Sequence, residues 1–338
     1  MKKAFTACVL LAAAGGALAQ SSVTMYGVLD IGFAHDTGSN PAGTVNALDY
    51  AGSTYVPTRL GFKGQEDLGN GLSAIFTAEM GFGVDTGAFD GTGIGFGRQA
   101  FVGLQGRFGA VKLGRQYNPL FLVGAPYDPF NGGMAGAYTR FMSLGPGKRL
   151  NNAVVYTSPT LAGGFNAEAA YSLGEVAGDS ARARAAGLSL NYANGPLSVG
   201  LGYNDWNSNP APALPVVHTN NTLLGAAWDF GVVRLSGIYQ VNKDNAATRL
   251  DARDWLVGAK APFGAWAFFG SYMRHTNRAL AHADSRQVAL GATYNLSRRT
   301  ALYSSYSRTH NDALASLQTP GTPGGADRLV GIGINHMF

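Results

Sequence analysis

Side chains along this sequence change character every second residue, and they do so over runs of about 10 residues. From Leu72, one series is Leu72, Ala74, Phe76, Ala78, Met80, Phe82 and the other is Ser73, Ile75, Thr77, Glu79, Gly81. Val288, Leu290, Ala292, Tyr294 and Leu296 alternate with Gln287, Ala289, Gly291, Thr293 and Asn295. Near the C-terminus Val330, Ile332, Ile334 and Phe338 share one face, opposite Gly331, Gly333 and Asn335. Successive side chains of a strand point to opposite faces, so each run is a strand with one apolar and one small or polar face. Strands in soluble sheets are usually about 5–6 residues long, whereas a tilted strand crossing a bilayer needs about 9–11. No run of about 18 apolar residues follows the N-terminus, so spanning helices are not expected.

The runs repeat regularly. About 16 such segments are predicted between residues 22 and 338, the first at 22–35 and the last at 327–338. Their connections alternate in length. Turn-like pieces such as Asn194-Gly195 and Pro262-Phe263-Gly264 alternate with long polar or Gly/Pro-rich stretches near 36–57, 83–96, 118–151 and 311–326. Short turns on one rim and long loops on the other describe an all-β, 16-stranded antiparallel transmembrane barrel with periplasmic turns and extracellular loops. Composition agrees: charged residues are only 13%, yet Gly numbers 48 and Tyr plus Phe 33, which is unlike a soluble helical domain or a disordered chain. Aromatics including Tyr26, Phe108, Tyr117, Tyr156, Phe165, Phe230 and Phe263 fall at segment ends, as interfacial girdles would.

Lys2 and Lys3, the apolar stretch Ala4–Ala14 and the small-x-small site Ala17-Leu18-Ala19 describe a secretory signal peptide over residues 1–19. The expected mature chain is 20–338, and Cys8, the only cysteine, leaves with the leader. Losing Lys2 and Lys3 takes the formal charge from +5 to +3. That surplus makes no case for nucleic-acid binding.

The sequence resembles the Gram-negative general-diffusion porins of the β-proteobacterial, trimeric type. The stretches that carry the resemblance include Ser22-Val23-Thr24-Met25-Tyr26-Gly27, Thr58-Arg59-Leu60-Gly61-Phe62-Lys63-Gly64-Gln65-Glu66-Asp67-Leu68-Gly69, Val111-Lys112-Leu113-Gly114-Arg115-Gln116-Tyr117 and Gly331-Ile332-Gly333-Ile334-Asn335-His336-Met337-Phe338. The resemblance implies an outer-membrane homotrimer and a third loop folded into the lumen. It also implies an assembly signal at Phe338, read by the barrel assembly machinery. Contacts with outer-membrane lipid and lipopolysaccharide are expected for a chain in that membrane.

The stretch 118–151 matches that third loop by position, and its apolar residues (Leu120, Phe121, Leu122, Val123, Phe130, Met134) would be wasted on a solvated rim. Strand parity turns Arg59 and Lys63 toward the lumen, because an arginine facing lipid at the bilayer midplane costs about 2–4 kcal/mol. Resemblance carries the family's constriction arginines onto Arg59, Arg98 and Arg149. Glu79, by parity, and Asp128, by lying in the loop, are candidates for an opposing acidic side. An arginine about 4 Å from a passing anion contributes about 4 kcal/mol at an effective dielectric of 20. A diffuse +3 is screened beyond about 8 Å. Constriction charges should therefore set selectivity, with a weak to moderate anion preference expected, which loop acids such as Asp85, Asp90, Asp128 and Asp179 could offset.

The function expected is passive diffusion of ions and small hydrophilic solutes, without cofactor, metal or bond chemistry. No Gly-x-Ser-x-Gly, His-Glu-x-x-His, P-loop or Gly-x-Gly-x-x-Gly is present to support an enzyme in a barrel. The alternative is a substrate-specific channel for organic acids or phosphate, whose geometry guanidinium groups match. A plugged adhesive barrel is a third possibility.

Overall fold

The computed structural model describes residues 22–90, 95–161, 163–208, 215–246 and 250–338. The expected signal peptide, residues 1–19, lies outside the described residues. Among those described, the chain forms one sheet of 17 antiparallel strands. These are β1 (Ser22–Thr37), β2 (Val45–Leu48), β3 (Arg59–Gly69), β4 (Leu72–Gly81), β5 (Gln99–Gly106), β6 (Gly109–Tyr117), β7 (Arg149–Thr157), β8 (Phe165–Ser172) and β9 (Ala185–Asn194). Then come β10 (Leu197–Asn207), β11 (His218–Asp229), β12 (Arg234–Asp244), β13 (Asp251–Phe263), β14 (Trp266–Asn277), β15 (Ser285–Asn295), β16 (Thr300–Asn311) and β17 (Ala326–Met337).

All except β2 make a closed 16-stranded barrel. Each wall strand pairs with its neighbours in sequence, and β1 closes on β17 from Val28↔Met337 to Thr37↔Arg328. Closure leaves no unpaired edge in lipid, where an unsatisfied N–H or C=O would cost several kcal/mol. The alternation is realised directly: along β16, Ala301, Tyr303, Ser305, Ser307 and Thr309 are buried toward the interior, while Leu302, Ser304, Tyr306 and Arg308 are exposed on the outside. A register slip of one residue would exchange the two faces, so lipid on one side and water on the other hold the register. The β3–β4 hairpin turns on Asn70 and Gly71, with φ of 54° and 76°, the left-handed pair that matches strand twist.

The strand β2 lies in the stretch 36–57 that was expected to be a loop. It pairs with β1 at Phe33–Asp36, while β3 pairs with the same flank of β1 lower down, at Ser22–Val28. The gap between them is closed by side chains. Asp30 N–H donates to Thr58 Oγ1 (3.1 Å), and Val56 N–H donates to Asp30 Oδ2 (2.8 Å). The last residue, Phe338, exchanges two backbone hydrogen bonds with Gly27, each 3.1 Å. A methyl group at position 27 would overlap the Phe338 ring.

The stretch 118–151 is also structured. It holds a short helix, α1 (Pro119–Gly124), and two single 3-10 turns at Ala125–Tyr127 and Tyr138–Arg140. It ends at Lys148, because Arg149 already pairs with Tyr117 and opens β7. This connection does not cover the rim. It lies inside the barrel, and the main apolar core is the seam between it and the wall: Leu120, Val123, Tyr127, Tyr138, Phe141 and Met142 pack on Leu223, Ile238, Leu256 and Met273.

Candidate functional site

The inward loop is built in three parts. At its base, Asn118 caps α1 by accepting from Leu120 N–H (3.0 Å). Its amide donates to Leu144 O (3.1 Å) and Gly147 O (3.0 Å), drawing the two ends of the loop together. At its middle, the Asp128 carboxylate accepts from the N–H groups of Phe130 (3.0 Å), Gly132 (2.8 Å) and Tyr138 (3.0 Å). Burial pushes its pKa up to about 6 against the opposing pull of those three donors. At its tip, Met134 N–H donates to Thr54 O (2.7 Å) and Arg140 donates to Ala51 O (2.7 Å), so the β2–β3 connection holds the far end.

The wall receives the loop in seats made by inward-facing glycines. Leu120 and Val123 sit over Gly202 and Gly200, Tyr127 over Gly225, and Pro129 over Gly258. Phe130 meets Phe269 edge-on, with ring centroids 4.9 Å apart. Larger residues at those strand positions would push the loop into the channel. The loop thus occupies the β9–β16 side and leaves the β3–β7 side bare.

Cations gather on that bare side. Glu79 accepts from Arg98 Nε (2.7 Å) and from the Tyr26 hydroxyl (2.9 Å), and Arg59 lies 4.0 Å away. A second bond runs from Arg98 Nη2 to the Tyr117 hydroxyl (2.8 Å). The Arg149 guanidinium stands 5.1 Å over the Tyr117 ring, Lys148 5.9 Å over Phe121 and Lys63 5.5 Å over Tyr26. Tyr117 and Phe121 stack at 5.2 Å. Rings therefore alternate with cations, each ring face favouring the charge beside it. Burial lowers the pKa of Lys148, and the neighbouring Arg149 and Arg98 lower it further.

Arg59, Lys63, Arg98, Arg149 and Glu79 thus come together, though not in the roles expected of all five. Arg98 is only 3% exposed; it precedes β5, outside the strand's alternation, and braces Glu79 and Tyr117. Glu79, 2% exposed, sits among the arginines and not across from them. Asp128 does not face the channel either, being 5% exposed with its oxygens on backbone N–H groups. It is the only carboxylate between 118 and 148, so the loop offers no acidic side. Tyr26 and Tyr117, read as girdle residues, belong to this cluster. Lys148 and Arg115, the latter donating to Gly97 O (2.6 Å) and to Asn151, were missed; a run of adjacent basic residues at Lys148-Arg149 was the only trace of the first.

The sequence model of the Gram-negative porin family matches residues 4–314. The chain belongs to that family. This porin is 32% identical, over the full length of both chains, to outer membrane porin protein 32 of Delftia acidovorans, and equally to an outer membrane porin protein of Bordetella pertussis. It is also similar to the solved anion-selective porin from Comamonas acidovorans, with 31% identity and a TM-score of 0.83, covering 94% of this chain and 100% of that one. OmpT of Vibrio cholerae, in its trimer form, shares 16% identity at a TM-score of 0.69 and shows the common fold alone. The protein is a passive channel of the Gram-negative outer membrane.

Proposed function

We propose that this porin is a general-diffusion channel with a preference for anions, set where the inward loop faces the β3–β7 wall. The observation that carries this is charge asymmetry. Arg59, Lys63, Lys148 and Arg149 gather at the passage, and the loop's one carboxylate is buried. An anion there meets cations, and the loop facing them presents no exposed acid. Arg98 acts from within the wall, holding Glu79 against Tyr26 so that part of the positive charge is balanced. The relative described as anion-selective supports the same reading. Homotrimer formation, recognition of Phe338 by the assembly machinery, cleavage after Ala19 and contacts with lipopolysaccharide are part of this proposal, with the hydrogen bonds between Phe338 and Gly27 as support for a structural role of Phe338.

Single-channel recording under a KCl gradient tests it. The wild type should show stepwise conductance and a reversal potential favouring chloride. Arg59→Ala/Lys148→Ala/Arg149→Ala should move that potential toward cations. An unmoved reversal potential in folded, conducting protein would reject the constriction while keeping the channel.

A further inference from the structure

The outer surface of the barrel carries a second basic cluster, far from the lumen. On β14–β17 the residues that point outward near the long-loop rim are Arg274, Arg286, Arg308, His310 and Arg328, all exposed. Strand pairing sets them side by side. Arg274 is directly opposite Arg286, Arg286 opposite His310, and Arg308 opposite Arg328. Like charges facing each other across a strand pair are destabilising. Arg274 has a partner, Asp284 at 3.1 Å; among the described residues Arg286, Arg308 and Arg328 form no ion pair. Arg286, Arg308 and His310 line a cleft of about 440 Å³ with Tyr272 and Val288. Exposed apolar residues lie just below: Val288, Leu290, Tyr306, Val330 and Ile332. Outward positions on β4 and β5, in contrast, are Ala78, Met80, Ala100, Val102 and Leu104, with no charge.

We propose that this crown binds the phosphate-bearing headgroup of an outer-leaflet glycolipid. The site rests on the barrel being an outer-membrane protein and commits to one occupant on three grounds. The guanidiniums stand where the apolar belt ends, at headgroup height. Three of them have no anion of their own among the described residues. Guanidinium matches phosphate oxygens in pairs, which an ammonium does not. A phosphate in the cleft would lie between Arg286 and Arg308, neutralising one side of the Arg308–Arg328 opposition, while acyl chains lie along Val288, Tyr306 and Ile332.

The test uses the full-length folded porin in detergent, titrated with diphosphoryl lipid A and followed by the temperature at which its heat-modifiable band shifts on a gel. Wild type should be stabilised at concentrations about 10-fold lower than Arg286→Gln/Arg308→Gln/Arg328→Gln requires. The corresponding triple lysine variant should fall between. If the triple glutamine variant does not fold, Arg308→Gln alone should show about a 3-fold loss. Equal stabilisation of wild type and variant overturns the site. So does an equal shift from inorganic phosphate, which would mean free-anion binding, or loss of the oligomer in lipid-free variant, which would make the crown a subunit contact. Conductance in phosphatidylcholine bilayers should be the same for all variants; its absence in wild type would count against the channel and leave the lipid titration to judge the crown.

Discussion

Glu79 is the one carboxylate bonded into the cationic cluster, so Glu79→Gln isolates what charge does there. The replacement keeps the shape: the amide oxygen can accept from Arg98 Nε, and the amide N–H can donate to the Tyr26 hydroxyl, at the positions now held at 2.7 Å and 2.9 Å. What changes is one unit of charge beside Arg59. For an ion passing about 8 Å from that carboxylate, the lost interaction is about 0.5 kcal/mol at the dielectric of water. Removing it favours the anion and disfavours the cation, so the permeability ratio moves by about twice that, roughly 5-fold. Screening at 0.15 M, whose length is also about 8 Å, reduces this to roughly 2-fold. Anion preference should therefore rise 2- to 5-fold, more at low salt. The second consequence is on stability. Arg98 is buried and loses its counter-charge, a class of change that costs about 3–5 kcal/mol, and the heat-modification temperature should drop. Reversal potentials in KCl gradients at two salt concentrations, read beside the gel shift, measure both. A folded Glu79→Gln channel with unchanged or reduced anion preference would refute the assignment of selectivity to this wall.

Further outcomes follow from the loop. Arg149→Ala should lower anion preference and free Tyr117 to move, with increased current noise in single-channel records. Asp128→Asn puts an amide where three backbone N–H groups converge, leaving at least one buried donor unmet at about 1–3 kcal/mol; faster hydrogen exchange confined to 128–138 would report it. The folded loop holds Asp128 with a pKa raised from 3.8 to about 6, so it favours the protonated form. Its contribution is complete below about pH 4 and is lost as pH rises through 6; Asp128→Asn should flatten that dependence in exchange measured from pH 4 to 7. Gly225→Val should overlap the Tyr127 ring, cost about 1–3 kcal/mol and lower conductance without altering any charge.

The barrel was legible because its two solvents differ so strongly. Along β4 and β15 the alternation marks the two faces, Ile75 and Ala289 aside, and turns such as Asn194-Gly195 punctuate the strands. The cationic cluster was less so. Tyr26 and Tyr117 stand at strand ends, where girdle aromatics also stand, and composition cannot separate a ring that meets lipid from one that meets arginine. Arg98 lies one residue before β5 begins, outside the alternation that would give its direction. Asp128 is an acid in a long loop, and only the folded backbone shows that its charge is turned on three N–H groups. Residues 45–48 pair only because β3 stops short of β1's upper half, a property of distant register that no local pattern carries.

The glycine seats have a consequence for how such a channel can change its calibre. The loop's position is copied from the depth of the wall beneath it: Tyr127 stands where Gly225 lets it, and Pro129 where Gly258 does. If the loop narrows the passage as proposed, its aperture depends on wall residues that lie behind it. Exchanging a glycine for alanine on β11 or β13 would advance the loop as a shim advances a valve seat, narrowing the passage while its charged residues stay as they are. Under the proposed function, size and selectivity can then drift independently, one through the small residues behind the loop and the other through the cations in front of it.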